Sequence, residues 1–390
     1  MMEQRWRILA ALTFARASMG FQFQSVATVA PFMTVDLALD KAQLGWLIGL
    51  YLLPGIAIAL PGGLLGARFG DKRVTLIALV LMTAGGLWLA LASNFAEASA
   101  ARLISGIGAV ILNVLFTKMV ADWFEGKDRL LAMSILINSW PIGIGIALLA
   151  LGPVGGLVGW HWAIASAAVF AGCGFAAVLG IYRPPAPAMR AVSTGIGLRV
   201  LTGKEWRLLG IASLPWLFYN AAYQIIVSFL PSFFLENGLS IAHSGALTAL
   251  NTVLFIVSVQ AGGIILKRTR KPDLICYAAI IGWSASVLLL SSTSTPLLWI
   301  VIGGLSAGLP ASALVSLPAE FLRPESRGVG MGVFFTIYYL GCALLPGAAG
   351  LLYDASGSAR TTLWMVAVLA FACMPTLALF RRATSGSQKS

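Results

Sequence analysis

Apolar runs of about twenty residues recur along this chain from end to end, separated mostly by short polar turns. Each run is long enough to cover the ~30 Å hydrocarbon core as a helix. A backbone placed in hydrocarbon must satisfy its own hydrogen bonds, which leaves helices or a closed barrel. Twelve runs are readable, near 8–34, 43–67, 74–94, 98–119, 130–151, 161–182, 208–233, 243–266, 274–293, 296–318, 328–352 and 360–380. Apolar side chains make up 59% of the 390 residues and charged ones 10%, with a mean hydropathy of +0.89. A soluble multidomain enzyme has no core large enough for that surface, so the expected class is an all-α membrane protein. The basic start at Arg5 and Arg7 imitates a signal peptide, but the run from Ile8 to about Pro31 is too long and has no convincing cleavage site. It is read as an uncleaved first span.

The charges give that count an orientation. Of 26 Lys and Arg residues, Lys41 and Arg360 fall in outer loops and Arg16 and Arg102 inside spans. The other 22 lie in inner loops and tails when the N-terminus is inside, which places both termini in the cytoplasm. The net charge of +12 is thereby spread over many short loops, and a nucleic-acid surface is excluded. The expected location is the inner (plasma) membrane, multi-pass. The longest break carries Pro184, Pro185 and Pro187 among basic residues and reads as a linker. The organisation expected is an N-terminal six-helix bundle (1–182), a cytoplasmic linker (183–207), a C-terminal six-helix bundle (208–382) and a polar, disordered tail (383–390).

The two halves repeat. A shift of 200 residues pairs Pro31 with Pro231, Asp36 with Glu236, Gln24 with Gln224, Gly45 with Gly245, Gly62 and Gly63 with Gly262 and Gly263, and Arg68 with Arg268. Two parallel six-helix halves are a transporter architecture. Between the second and third runs stands Pro61-Gly-Gly-Leu-Leu-Gly-Ala-Arg-Phe-Gly-Asp-Lys-Arg73. It resembles the loop after the second helix of the major facilitator superfamily, with Gly63, Leu65, Arg68, Gly70 and Lys72 in register. Ala67 stands where that family has its Asp and Asp71 where it has an Arg. The resemblance implies an inner gate at Gly63, Arg68, Gly70, Asp71 and Lys72, whose latch is either absent or supplied by Asp71. Arg102-x-x-x-Gly106-x-Gly108 is similar to the family's fourth-helix motif, whose Arg is associated with proton coupling. Gly152-Pro153-Val154-Gly155-Gly156 resembles the Gly-Pro-x-x-Gly-Gly core of its antiporter motif, without the upstream glycines.

An ionisable residue in hydrocarbon is costly unless paired or wet, so each one calls for a reason. Arg16 lies about 12 Å into the first run at 1.5 Å per residue, with Gly20 and Gln24 on the same face. Two readings stand: a cation that binds an anionic solute, or a structural Arg satisfied by neighbouring carbonyls. Arg102, with Glu97 as a candidate partner, stands between coupling and structure in the same way. All 14 acids fall in loops or near span ends, a pattern that favours an anionic or polar neutral solute over a cationic one. Asn113, Asn138, Trp140, Trp216, Asn220, Tyr223, Gln224 and Tyr338 place amides and aromatic rings at helical spacing in the fourth, fifth, seventh and eleventh spans, as a mixed cavity requires. The four cysteines lie far apart in apolar runs without a Cys-x-x-Cys pair, and no metal cluster, phosphate loop or nucleophile–base pair is readable. No cofactor and no enzymatic activity are expected.

The expectation is a secondary transporter, monomeric, moving a small solute by alternating access, with Arg16 as the charge partner and a binding site between the bundles. The first class of solute is a small anion or organic acid, loosely similar to the cyanate and nitrate branches of the superfamily. A proton-driven drug or metabolite exporter is the alternative, and a substrate-sensing receptor a third.

Overall fold

The computed structural model describes residues 2–124, 126–184, 200–269, 271–293, 295–323 and 325–386, with the side chains of Met2, Leu60, residues 62–64, Ala67, residues 126–127, Leu130 and Gly386 left aside. Most of the expected linker and the last four residues therefore lie outside the described residues. Contacts divide the chain into Met1–Gly195 and Ile196–Ser390. The first unit holds α1 (Met2–Asp36), α2 (Lys41–Leu50), α3 (Gly55–Phe69), α4 (Asp71–Ala90), α5 (Phe95–Trp123), α6 (Gly126–Val158) and α7 (Trp160–Ile181). The second holds α8 (Gly203–Glu236), α9 (Ile241–Arg268), α10 (Pro272–Leu290), α11 (Pro296–Ala307), α12 (Ala311–Ser316), a 3-10 turn (Leu317–Glu320), α13 (Arg327–Ser356) and α14 (Arg360–Gly386). No strand occurs among the described residues.

Eleven segments are long and apolar enough to cross a membrane, and α1, at 35 residues, makes the twelfth span. It escapes the hydropathy criterion because it carries Arg16, Gln22, Gln24 and several hydroxyls. Those side chains are buried, so the stretch of α1 that carries them packs against protein. By contrast, α4 shows Ile77, Val80, Leu87 and Trp88 on its exposed face.

Two spans expected as continuous helices are broken. The second divides at residues 51–54, because Pro54 has no N–H for the carbonyl of Leu50. The tenth divides at residues 308–310, where Pro310 does the same to Ser306. The seventh starts earlier than the expected 208. Thr202 and Glu205 form a capping box, Thr202 Oγ1 accepting from the Glu205 N–H at 3.2 Å and Glu205 Oε2 from the Thr202 N–H at 2.8 Å. The charges of Lys204, Glu205 and Arg207 mask that first turn in a hydropathy reading. α14 in turn runs to Gly386, into the stretch read as tail.

Within the first unit α1 packs on α6 and α7, α4 on α5 and α7, and α3 on α5. Within the second, α8 packs on α13 and α14, α10 on α11 and α14, and α9 on α11. The 200-residue repeat extends to the helix ends. Asp40 caps α2, accepting from the Gln43 N–H at 2.6 Å, and Ser240 caps α9, accepting from the His243 N–H at 3.3 Å. Asp36, ending α1, accepts from Trp160 Nε1 at the start of α7 at 2.8 Å. Glu236, ending α8, accepts from the Ala359 N–H just before α14 at 2.9 Å and from the Tyr353 hydroxyl.

Candidate functional site

The chemistry of the first unit begins with a proline. Pro141 lies inside α6 and offers no N–H to the carbonyl of Ile137, one turn earlier. Arg16 takes that carbonyl. Its Nη1 donates to the oxygens of Ile137 at 2.9 Å and Leu136 at 2.7 Å, and its Nη2 to Asn113 Oδ1 on α5 at 2.8 Å. Close approach of α1 and α6 makes this reach possible. A Cβ on Gly20 would collide with the Trp140 carbonyl, and one on Gly143 with the Ala17 carbonyl. The Arg16 residue keeps 9% of its surface exposed. Trp140 packs its ring 5.5 Å from Phe23, Gln24 is fully buried one face-turn beyond Arg16 and Gly20, and Asn138 is half-buried on α6. Arg16, Asn113 and the Asn138–Pro141 stretch are thus brought together.

Arg102 belongs to a different assembly. It is fully buried, and its Nε donates to the Leu47 oxygen at 2.8 Å. That carbonyl lies in the last turn of α2, whose terminal oxygens lose their partners at the break. Nη1 and Nη2 donate to the oxygens of Gln22 at 3.1 Å and Phe23 at 3.3 Å, and the guanidinium lies 4.4 Å from the centre of the Tyr51 ring. Tyr51 OH in turn donates to the Met19 oxygen at 3.3 Å, and Gln22 Nε2 to the Met82 oxygen at 3.0 Å. Arg102 therefore ties α1, α2 and α5 through main-chain oxygens. Glu97, expected as its partner, instead accepts from the N–H and hydroxyl of Ser93 and from Asn94 Nδ2, at the start of its own helix.

The second unit solves its helix break with a neutral group. The Ala311 N–H turns to Gly308, and the freed oxygen of Ala307 accepts from the Tyr219 hydroxyl at 2.9 Å. Around Tyr219 aromatic rings gather. Trp216 stacks on Tyr219 at 5.7 Å and on Phe334 at 6.2 Å, with Tyr338 also at 6.2 Å, and Tyr223 stacks on Phe255 at 4.1 Å. Asn220 turns its amide back to the Trp216 oxygen at 2.8 Å. Thr252 donates its own proton to the Thr248 oxygen at 3.1 Å, and the Tyr223 hydroxyl has no hydrogen-bond partner among the described residues. Trp216 Nε1 and Gln224 Oε1 are buried polar atoms with no hydrogen-bond partner among the described residues. A buried polar group left unmet costs ~1–3 kcal/mol, and such groups gather where a ligand completes them.

Two units of six spans each with matching internal packing, polar groups held inside the spans and a glycine-rich basic turn after the second span agree with one family. Its model, the Major Facilitator Superfamily, matches residues 12–346. The chain belongs to the Major Facilitator Superfamily. Its spans make it a multi-pass membrane protein, and its relatives are transporters of small solutes. It is 27% identical to the 3-(3-hydroxy-phenyl)propionate transporter of Escherichia coli over 89% of this chain and 87% of that one. It is 24% identical to the hexuronate transporter of Bacillus subtilis (76% and 72% covered) and to the cyanate transport protein CynX of Escherichia coli (77% and 78%). The fold matches that of the nucleoside transporter NupG with a TM-score of 0.78 at 15% identity, covering 96% of this chain and 99% of that one. It matches a D-xylose–proton symporter with a TM-score of 0.76 at 17% identity, over 95% and 96%.

The superfamily's basic turn has its own arrangement here. Gly70, at φ 90° between α3 and α4, holds a conformation that favours glycine. Asp71 accepts from Lys118 Nζ of α5 at 2.5 Å, and Lys118 also lies 3.8 Å from Asp122. Lys72 donates to the oxygens of Leu179 and Tyr182, both at 2.8 Å, and so caps the end of α7. Arg68 is exposed, 5.3 Å from the centre of the Phe69 ring. The surroundings of Gly63 lie outside the described residues. Sequence reasoning passed over Gln22, Tyr51, Lys118 and Tyr219. For Tyr51 and Tyr219 the available signal was Pro54 and Pro310, since each breaks the helix ladder nearby and leaves carbonyls to be met from elsewhere.

Proposed function

We propose that this superfamily member carries a small organic carboxylate across the membrane by alternating access, with Arg16 as the cation that meets it. The observation that carries the reading is the way Arg16 is held. Its guanidinium sits within the first span on two main-chain oxygens of α6 and the Asn113 amide oxygen, acceptors that fix its orientation. The buried acids among the described residues, Asp122 and Glu205, lie in end turns beside Lys118 and Arg323. A carboxylate matches a preorganised guanidinium better than an inorganic cation or a lipophilic amine does.

Two further observations support an organic acid. Three relatives are named for a phenylpropionate, a hexuronate and cyanate, all anions at neutral pH. The second unit offers aromatic faces at Trp216, Tyr223 and Tyr338 with the unmet Trp216 Nε1 and Gln224 Oε1, which suits the neutral body of an aromatic or hydroxylated acid. Asn138, Trp140, Gln24 and Asn220 complete the solute-contact set, Asn113 serving by holding Arg16. Arg102, locked on main-chain oxygens, is a positioning residue for α1, α2 and α5 in this reading. Gly63, Arg68, Gly70, Asp71 and Lys72 act at the inner gate. The 22-to-2 division of the loop cations supports an inner-membrane protein, taken as a monomer, with both termini in the cytoplasm.

The test is uptake into proteoliposomes of 3-phenylpropionate, a hexuronate, cyanate and a lipophilic cation, with and without a pH gradient. Saturable carboxylate uptake that falls at least tenfold in Arg16→Gln, at equal protein content, is expected. Carboxylate uptake unchanged in that variant, or transport of the cation alone, overturns the reading.

A further inference from the structure

At one end of the first unit, the start of α1 and the end of α7 leave an open pocket of about 400 Å3, lined by Glu3, Gln4, Arg7, Gly180, Ile181 and Arg183. Arg7 and Arg183 are exposed, and neither guanidinium has a hydrogen bond or ion pair among the described residues. The cations around them are already engaged. Arg5 donates to Asp128 at 2.7 Å and lies 5.9 Å and 5.4 Å from the ring centres of Trp6 and Phe124. Lys72 is held by the oxygens of Leu179 and Tyr182. That second engagement matters for the pocket, because the terminal carbonyls of α7 would repel an anion and Lys72 neutralises two of them.

The depth of the pocket identifies its surroundings. The apolar run of α7 stops at Ile181, on the pocket wall. Trp6 packs edge-on against Phe124 at 5.2 Å, and Trp123 Nε1 donates to the Arg183 oxygen at 3.1 Å, fixing the chain that carries one guanidinium. Both indoles are half-buried, as side chains at the level of lipid headgroups are. A Cβ on Gly180 would meet nothing within 4 Å, so this wall leaves room for an occupant. Two guanidinium forks lining one pocket match the oxygens of a phosphate diester. The Glu3 carboxylate on the same rim disfavours a bare phosphate, and with the Gln4 amide it offers acceptors for hydroxyl groups.

We propose that this pocket is a binding site for an anionic phospholipid whose headgroup carries hydroxyls, the phosphate on Arg7 and Arg183 and the hydroxyls on Glu3 and Gln4. The site is independent of the solute assignment. The experiment is native mass spectrometry of the purified full-length protein titrated with phosphatidylglycerol, against phosphatidylcholine as reference. Two surface cations near a headgroup are worth about 30-fold in affinity, so Arg7→Gln/Arg183→Gln is expected to weaken phosphatidylglycerol binding by that factor. Arg7→Lys/Arg183→Lys should retain most of it, and Arg73→Gln/Arg382→Gln should stay within twofold of the parent. Wild-type binding by the Gln pair overturns the proposal. Equal loss in the Arg73/Arg382 control makes the attraction a diffuse surface effect and also overturns it. Displacement of the lipid by soluble glycerol phosphate at equal affinity would assign the pocket to a free phosphate ester instead.

Discussion

Arg16 can be tested so that its two roles separate. In Arg16→Gln three N–H···O bonds of 2.7–2.9 Å are lost. The Leu136 oxygen still accepts from Ser139 Oγ at 2.6 Å, whereas the Ile137 oxygen faces Pro141 and loses its donor. A carbonyl orphaned in this way costs about 1–3 kcal/mol. Pro141→Ala supplies the missing N–H, so in the double variant Arg16→Gln/Pro141→Ala most of that cost returns. The double-mutant cycle, read from reversible unfolding in mixed micelles, should show a coupling of about 1–2 kcal/mol. Transport behaves differently if Arg16 meets the solute. Loss of a charge-assisted bond to a carboxylate, about 1.5–3 kcal/mol, lowers kcat/KM about 10- to 150-fold, and a backbone N–H regained through Pro141→Ala cannot restore it. Recovery of carboxylate transport together with stability in the double variant would show that Arg16 is only a clamp between α1 and α6.

Arg102→Met should destabilise the protein by about 2–4 kcal/mol in the same unfolding assay, because it removes the Leu47 donor and the cation over Tyr51 together. Tyr219→Phe removes one neutral donor from the Ala307 oxygen and should cost about 1 kcal/mol, with the aromatic stack on Trp216 intact by fluorescence. Gly20→Val places carbon against the Trp140 oxygen and should lower both melting temperature and carboxylate uptake, since it pushes α1 away from the carbonyls that hold Arg16. Glu205→Gln should lower the melting temperature in the parent but much less in an Arg323→Gln background, because Arg323 Nε and Nη2 both donate to that carboxylate at 3.1 Å.

Much of the architecture follows from short-range rules. Span length, the gathering of cations in alternate loops and the helix caps at Asp40 and Ser240 are each set within a few residues, so hydropathy and spacing reveal them. The repeat that pairs Asp36 with Glu236 was legible for the same reason, although the groups that each acid ties down were not. The first turn of α8 was hidden by Lys204, Glu205 and Arg207, although its capping box stood in the sequence. For the candidate site, residue types were legible and partners were not. Asn113 and Arg16 were both singled out, yet nothing along the chain shows that one holds the other.

By itself, then, the chain determined that it crosses a membrane about a dozen times in two related halves, and that its mid-span charges are positive. Only the tertiary structure decided what those charges touch. A proline announces a disturbed helix ladder, but the replacement donors come from other helices: Arg16 from α1 for Ile137, which faces Pro141, and Tyr219 from α8 for Ala307, freed at the break that Pro310 starts. Hydrogen bonds between helices depend on approach and rotation, which small residues such as Gly20 and Gly143 permit without specifying. That is why two arginines of similar sequence setting meet different partners, Arg102 the main-chain oxygens of α1 and α2, and Arg16 two main-chain oxygens of α6 and the Asn113 amide.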